Sequence, residues 1–102
     1  MNITKTQNGD KTILSLSGRL DTTTAPQLQD VLIPEFDTAK QIELDFTELA
    51  YVSSAGLRVL LTGEKTAKNK GGSMTLTGVS DEIMKVFEMT GLYDIFHFLS
   101  QD

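Results

Sequence analysis

Residues 45–61, DFTELAYVSSAGLRVLL, contain two adjacent hydroxyls at the point where a strand gives way to an apolar helix. The helix is expected to begin near Ser54, immediately after Ser53. A serine at a helix N-terminus can satisfy backbone N–H groups that have no partner inside the helix, and a phosphate placed there would meet the same donors. Ser53 and Ser54 are therefore the candidate regulatory site of this chain.

The segments on either side of these serines have the periodicities of a strand and a helix. Residues 41–46 alternate polar and apolar side chains, which predicts a strand whose Ile42, Leu44 and Phe46 enter the core. The helix is predicted to run to about Lys68. Its packed side is predicted to be Leu60, Gly63 and Ala67, and its solvated side Glu64, Lys65 and Lys68.

Strands and helices also alternate along the rest of the chain. Turn residues at 8–10, NGD, predict a hairpin whose second strand includes residues 12–17. A helix should follow from an N-cap at Thr24, with Gln27 three residues later, to about Phe36. This alternation predicts one α/β domain. The remaining elements are a strand at 73–77, a helix opened by Ser80 and ended near Gly91, and a closing strand or helical turn at 95–99.

Composition limits the classes of function. With 102 residues the chain makes about one small domain, and without cysteine it has no disulfide or thiolate site. Fourteen acids against nine bases give a net charge of -5, and the bases form no dense cluster, so nucleic acid is not an expected partner. A secretory leader and an apolar run of about 20 residues are both missing, which predicts a soluble cytoplasmic protein without stable membrane insertion.

Three motifs in this order resemble one family. They are GRLD at residues 18–21, the serine-glycine turn within residues 45–61, and MTGL at residues 89–92. Together with the order of elements they resemble the STAS domain, in its stand-alone anti-sigma factor antagonist form. The resemblance covers nearly the whole chain and implies a single STAS domain over residues 1–102, with a central mixed β-sheet of about four to five strands and helices packed on it.

The resemblance also implies the site residues. In similar antagonists the first hydroxyl residue after an Asp accepts phosphate, and Ser54 takes that position here. Ser53 stands where those relatives have the Asp, and Ala55 stands where they have a second hydroxyl. Ser53 is therefore the second choice of acceptor. The residues expected to contact the partner are Asp21, Thr22, Ser53, Ser54, Gly56, Leu57 and Arg58.

Two of these residues have alternative explanations in the sequence. Arg58 lies four residues after Ser54, so its side chain could approach a phosphate on Ser54 or could simply face solvent. Leu57 could project outward as an apolar anchor for the partner, or could belong to the core. Asp21 and its neighbour Thr22 follow the strand that ends in GRLD, and the resemblance places their loop beside the acceptor turn.

Catalytic chemistry is not expected. His97 is the one histidine, and between Phe96 and Phe98 we expect a part-buried structural side chain rather than a base. A hydrolase built from Ser54, His97 and Asp45 would need these residues to converge, and the Gly-x-Ser-x-Gly elbow is missing. The sequence has no metal constellation and no phosphate-cradling loop, so we predict no enzyme activity, no metal and no cofactor.

The resemblance implies a switch of binding partners. The unphosphorylated protein would bind a serine kinase that is also an anti-sigma factor, and so free the sigma factor. Phosphorylation of Ser54 would release the protein, and a metal-dependent serine phosphatase would reset the cycle. Two alternatives remain: the same switch with an output other than transcription, or a non-phosphorylated structural subunit of a transport complex. In isolation the protein is expected to be a monomer.

Overall fold

Five strands form one sheet, and they stand in it in the order in which they occur along the chain. The structure, a computed structural model, describes residues 1–99, so the predicted end of the domain at Asp102 lies outside the described residues. The strands are β1 (Asn2–Asn8), β2 (Lys11–Leu20), β3 (Gln41–Val52), β4 (Ser73–Thr77) and β5 (His97–Leu99). The helices are α1 (Ala25–Glu35), α2 (Ser54–Asn69) and α3 (Asp81–Met89).

The sheet is mixed, because β1 pairs antiparallel with β2 and the other neighbours pair in parallel. The predicted turn joins β1 to β2, and Gly9 takes the positive φ of 67° that favours glycine. Each parallel pair is joined by one of the three helices, as parallel strands require. The prediction of an α/β domain with about four to five strands in a mixed sheet is confirmed.

Strand β3 is twice as long as predicted. Residues 47–52 continue it because Glu48, Leu49, Tyr51 and Val52 still pair with the last residues of β2. Two register shifts interrupt this part of the pairing. Such bulges break the alternation of side chains, so the period-two pattern that predicted the strand ends at Phe46.

The core lies between the sheet and the helices. Helix α2 approaches α1 and β4 closely at Gly63, where a Cβ atom would come within 2.8 Å of Leu32 Cδ2 and 2.9 Å of Met74 Sδ. The predicted packed side of α2 is therefore confirmed. Fully buried side chains include Leu14, Leu44 and Leu76 from the strands, Leu28 and Leu32 from α1, Leu60 from α2, and Phe87 from α3.

Two predictions about ionisable side chains are wrong. Glu64 is only 3% exposed, because the helical phase that buries Leu60 and Ala67 also turns position 64 inward. Its Oε1 atom has no hydrogen-bond partner within residues 1–99, and its Oε2 atom lies 3.7 Å from His97 Nε2. The His97 side chain is 67% exposed rather than part-buried, because β5 lies at the edge of the sheet.

The side-chain hydrogen bond expected of an N-cap at Thr24 does not form. Thr24 stands at the N-cap, but its hydroxyl bonds no amide of the helix. It donates instead to the Arg19 carbonyl oxygen at 2.7 Å and accepts from the Asp21 N–H at 2.8 Å. The side chain therefore orders the loop before α1 rather than the helix.

The longest helix, α2, has 16 residues. Over the described range 1–99, no helix combines the length and the apolar character needed to cross a membrane.

Candidate functional site

The carboxyl ends of β2 and β3 bring the two predicted site segments together. Leu20 pairs with Val52 at the ends of these strands, and the Ser53 N–H donates to the Leu20 carbonyl oxygen at 2.9 Å. The loop that begins at Asp21 therefore starts beside the turn that begins at Ser53. This adjacency agrees with the expectation from the resemblance.

The two serines have different local roles. Ser53 is the N-cap of α2, with extended backbone angles and with its Oγ accepting from the Gly56 N–H at 3.4 Å. Ser54 is the first helical residue, it is exposed, and its hydroxyl forms no hydrogen bond with the described residues. The capping role that the sequence allowed for Ser54 thus belongs to Ser53. The Ser54 hydroxyl remains accessible at the positive end of the helix dipole.

Gly56 and Leu57 both serve packing. A Cβ atom on Gly56 would lie 2.6 Å from Leu20 Cγ and 3.1 Å from the Leu20 carbonyl oxygen, so only glycine allows α2 to lie this close to β2. Leu57 is 4% exposed and belongs to the core, which decides between its two alternatives. The Leu57 side chain therefore does not project outward as an apolar anchor, and contact of these two residues with a partner stays a prediction.

Hydrogen bonds to Asp21 fix the loop between β2 and α1. Its Oδ1 atom accepts from the Thr23 hydroxyl at 2.7 Å, the Thr23 N–H at 3.0 Å and the Thr24 N–H at 3.2 Å. The Thr23 hydroxyl is the main cause that lowers the pKa of Asp21 below its ordinary value. Asp21 is therefore a carboxylate at neutral pH that orders its own loop, and the neighbouring Thr22 is exposed.

A shallow groove of about 390 Å³ joins this loop to the first turns of α2. Arg58 is exposed and its guanidinium forms no ion pair or hydrogen bond with the part of the chain that the structure describes. Thr22 and Arg58 thus border one surface beside Ser54. The groove is lined by these two residues and by Ala25, Pro26, Ala55 and Val59, among others.

Arg19 and Tyr51 also lie at this end of the sheet, and the sequence did not single out either as a site residue. They pair across β2 and β3, and Arg19 Cζ lies 4.2 Å from the centroid of the Tyr51 ring. The sequence signal was weak, because an Arg within GRLD and a Tyr before the serines become neighbours only through the shifted strand register.

The alternative of a hydrolase finds no support in the geometry. Asp45 accepts from the Thr47 hydroxyl at 2.6 Å and the Thr47 N–H at 3.0 Å, and His97 lies against Glu64. Neither forms a hydrogen bond or ion pair with Ser54 among residues 1–99. Within the same range, no group of three or more metal-binding side chains occurs.

Known proteins resemble this chain in sequence and in fold. It is 30% identical over 95 residues to the anti-sigma-B factor antagonist of Bacillus subtilis strain 168, covering 93% of this chain and 87% of that protein. The unphosphorylated anti-sigma factor antagonist SpoIIAA superposes with a TM-score of 0.78 at 16% identity, covering 99% of this chain and 90% of SpoIIAA. Its phosphorylated form from Bacillus gives a TM-score of 0.76 at 18% identity, covering 98% and 93%.

The relatives matched by sequence are named anti-sigma-B factor antagonists and not enzymes, in agreement with the prediction of no enzyme activity. A family model described as "Mlab, STAS domain" matches residues 3–99, which is nearly the whole chain. The chain belongs to the STAS domain family.

Proposed function

We propose that this protein is a cytoplasmic anti-sigma factor antagonist that switches partners through phosphorylation of Ser54. The relatives named anti-sigma-B factor antagonist support the antagonist role. One observation at the start of α2 carries the Ser54 assignment. Ser53 caps the helix, so the exposed Ser54 hydroxyl is not needed for the fold. Modification of Ser54 therefore leaves the helix cap in place.

In this scheme the unphosphorylated surface binds an anti-sigma factor that is also a serine kinase, and the sigma factor is released. The kinase, with bound ATP and Mg²⁺, transfers the γ-phosphoryl group to Ser54 Oγ, which gives up its proton, and ADP is the leaving group. The phosphate adds a charge of about -1.5 to -2 to a protein that already carries -5. A partner surface fitted to the neutral hydroxyl then meets bulk and charge, and the complex dissociates.

Neighbouring groups can hold the phosphate without a change of fold. The N–H of Gly56 is already bonded to Ser53, and the other N–H groups at the start of α2 are donors of the kind that bind phosphate at a helix N-terminus. Arg58 lies one helical turn after Ser54, close enough for its guanidinium to approach the phosphate. A metal-dependent serine phosphatase, as a separate protein, returns Ser54 to the hydroxyl form.

The test compares affinities for the purified cognate kinase by titration calorimetry. Ser54→Ala is expected to bind like the unphosphorylated wild type and to persist in the complex when ATP is added. Ser54→Asp is expected to bind at least about tenfold more weakly, which corresponds to about 1.4 kcal/mol. Ser80→Asp is the matched control, because Ser80 is also an exposed serine at a helix start, on α3. Equal affinities of wild type and Ser54→Asp would contradict the switch.

Peptide mass spectrometry of the protein from its native cell locates the phosphate. Phosphate on Ser54 supports the proposal, whereas phosphate on Ser53 would move the acceptor to the capping residue. An output other than transcription would appear as the same phosphorylation with no effect on a sigma factor. Co-purification with a permease, together with full function of Ser54→Ala, would favour a structural subunit of a transport complex.

A further inference from the structure

A cation held over an aromatic ring borders the Ser54 surface. The Arg19 guanidinium stacks on Tyr51 with 4.2 Å between Cζ and the ring centroid. We propose that this Arg19–Tyr51 pair binds a carboxylate of the protein partner, so that an acidic side chain of the partner sits beside the switch serine. This inference rests on the proposed function and names the partner chemistry that the same surface selects.

Contacts within the protein orient the Arg19 guanidinium but do not occupy its N–H donors. Its side chain is 61% exposed and donates no hydrogen bond to any residue that the structure describes. Its Nε forms an ion pair with Asp21 Oδ2 at 3.8 Å, which is longer than a hydrogen bond. The other oxygen of Asp21 is already occupied by Thr23 and Thr24. The donors of Arg19 therefore remain available to a ligand.

Stacking makes this arginine suited to recognition. The planar guanidinium offers parallel N–H donors that match the two oxygens of a carboxylate, and the ring below it limits the side-chain freedom that binding would otherwise remove. Tyr51 is itself 40% exposed, so the ring also contributes apolar contact area beside the charge. Arginine and tyrosine are, with tryptophan, the residue types enriched among the few residues that dominate the binding energy of an interface.

Cations are few at this end of the molecule, which limits where a carboxylate of the partner can bind. The protein carries a net charge of -5, yet its two arginines, Arg19 and Arg58, both lie in the segments that border Ser54. Residues 12–39 and 41–64, which contain these segments, hold no lysine and eight acidic residues. A carboxylate of the partner is therefore attracted at the two arginines and repelled by the acids around them, which fixes its position.

The experiment measures the affinity of the unphosphorylated protein for the purified cognate kinase at low and high salt. Arg19→Glu is expected to weaken binding at least about tenfold and to reduce the salt dependence. Tyr51→Leu, which keeps the charge but removes the ring, should weaken binding by a smaller factor. Lys85→Glu makes the same change of charge at an exposed residue of α3 and should alter affinity less than twofold. Arg19→Gln provides a second test if Arg19→Glu does not fold.

The possible results test the carboxylate contact and the proposed function separately. If wild type binds and both Arg19 variants bind equally well, the carboxylate contact is overturned while the switch stands. If only the phosphorylated form responds to Arg19→Gln, the arginine serves the phosphate and not the partner, which also overturns it. If wild type does not bind the kinase at all, the proposed function fails. Rescue of Arg19→Glu by a carboxylate→Lys change in the kinase would establish the pair.

Discussion

At the scale of single residues, one position decides which of two adjacent serines is structural. Both hydroxyls were expected at the helix start, but sequence alone does not settle a helix boundary to one residue. The same uncertainty affected Leu57, whose direction depends on the phase of α2. Once the helix begins at Ser54, Leu57 shares its inward face with Leu60, and the proposed partner surface has no outward leucine at this position.

Ser53→Ala is expected to lower the free energy of unfolding by about 0.5–1 kcal/mol, because the Gly56 N–H loses its side-chain acceptor. Ser54→Ala should change it by less than about 0.5 kcal/mol, since the exposed hydroxyl has no bond to lose. Urea denaturation followed by circular dichroism measures both. Ser80→Ala, which removes the cap of α3, gives the scale for a lost cap. A larger loss at Ser54 than at Ser53 would contradict this assignment.

At the scale of the element, the helical periodicity of α2 predicts the buried face correctly, whereas the charge of one side chain led to a wrong prediction. Leu57, Leu60, Glu64 and Ala67 recur at the spacing of one helical face, and all four are buried. Glu64 was expected in solvent only because it is charged. In β3 the periodicity itself failed to predict the length of the strand. Bulges shift its register, and no local pattern of residues predicts where they fall.

Glu64→Met is expected to raise the free energy of unfolding by about 1–3 kcal/mol, because it removes a buried oxygen that has no partner within residues 1–99. Methionine is flexible enough to fill the same space. Thermal and urea unfolding would show the gain. Lys65→Met, at the exposed neighbouring position of α2, should change stability little. A loss of stability in Glu64→Met would mean that His97 satisfies the carboxylate better than the 3.7 Å separation indicates.

At the scale of the whole molecule, the order of strands and helices in the sequence was enough to predict the architecture. Consecutive elements usually lie next to each other, and here every strand pairs with its neighbours in sequence. The position of the site also follows from this order, because β2 and β3 are parallel and end at the same edge. What the sequence did not contain was the contact between Arg19 and Tyr51, which needs the three-dimensional register.

The isolated protein is expected to sediment as a monomer of 11.2 kDa. The outer strand β1 is almost entirely polar and exposed, β5 is three residues long, and the net charge of -5 opposes self-association. Analytical ultracentrifugation at several concentrations measures this. The exposed apolar side chains near the carboxyl end are the competing feature, so a dimer that Leu99→Lys dissociates would contradict the prediction. These side chains are Met89, Tyr93, Ile95 and Leu99.

Leu20 holds the end of β2 against the start of α2 at this surface. Its carbonyl oxygen accepts a hydrogen bond from the Ser53 N–H, and its side chain packs against the backbone of Gly56, which has no Cβ atom. The end of β2 and the start of α2 are thereby joined at two points and must move together. A protein that docks here meets a surface already in its final shape, so no time is spent waiting for a loop to fold. In the proposed switch, the rate of association then depends on diffusion and charge, and the lifetime of the complex on whether the Ser54 oxygen carries a phosphate.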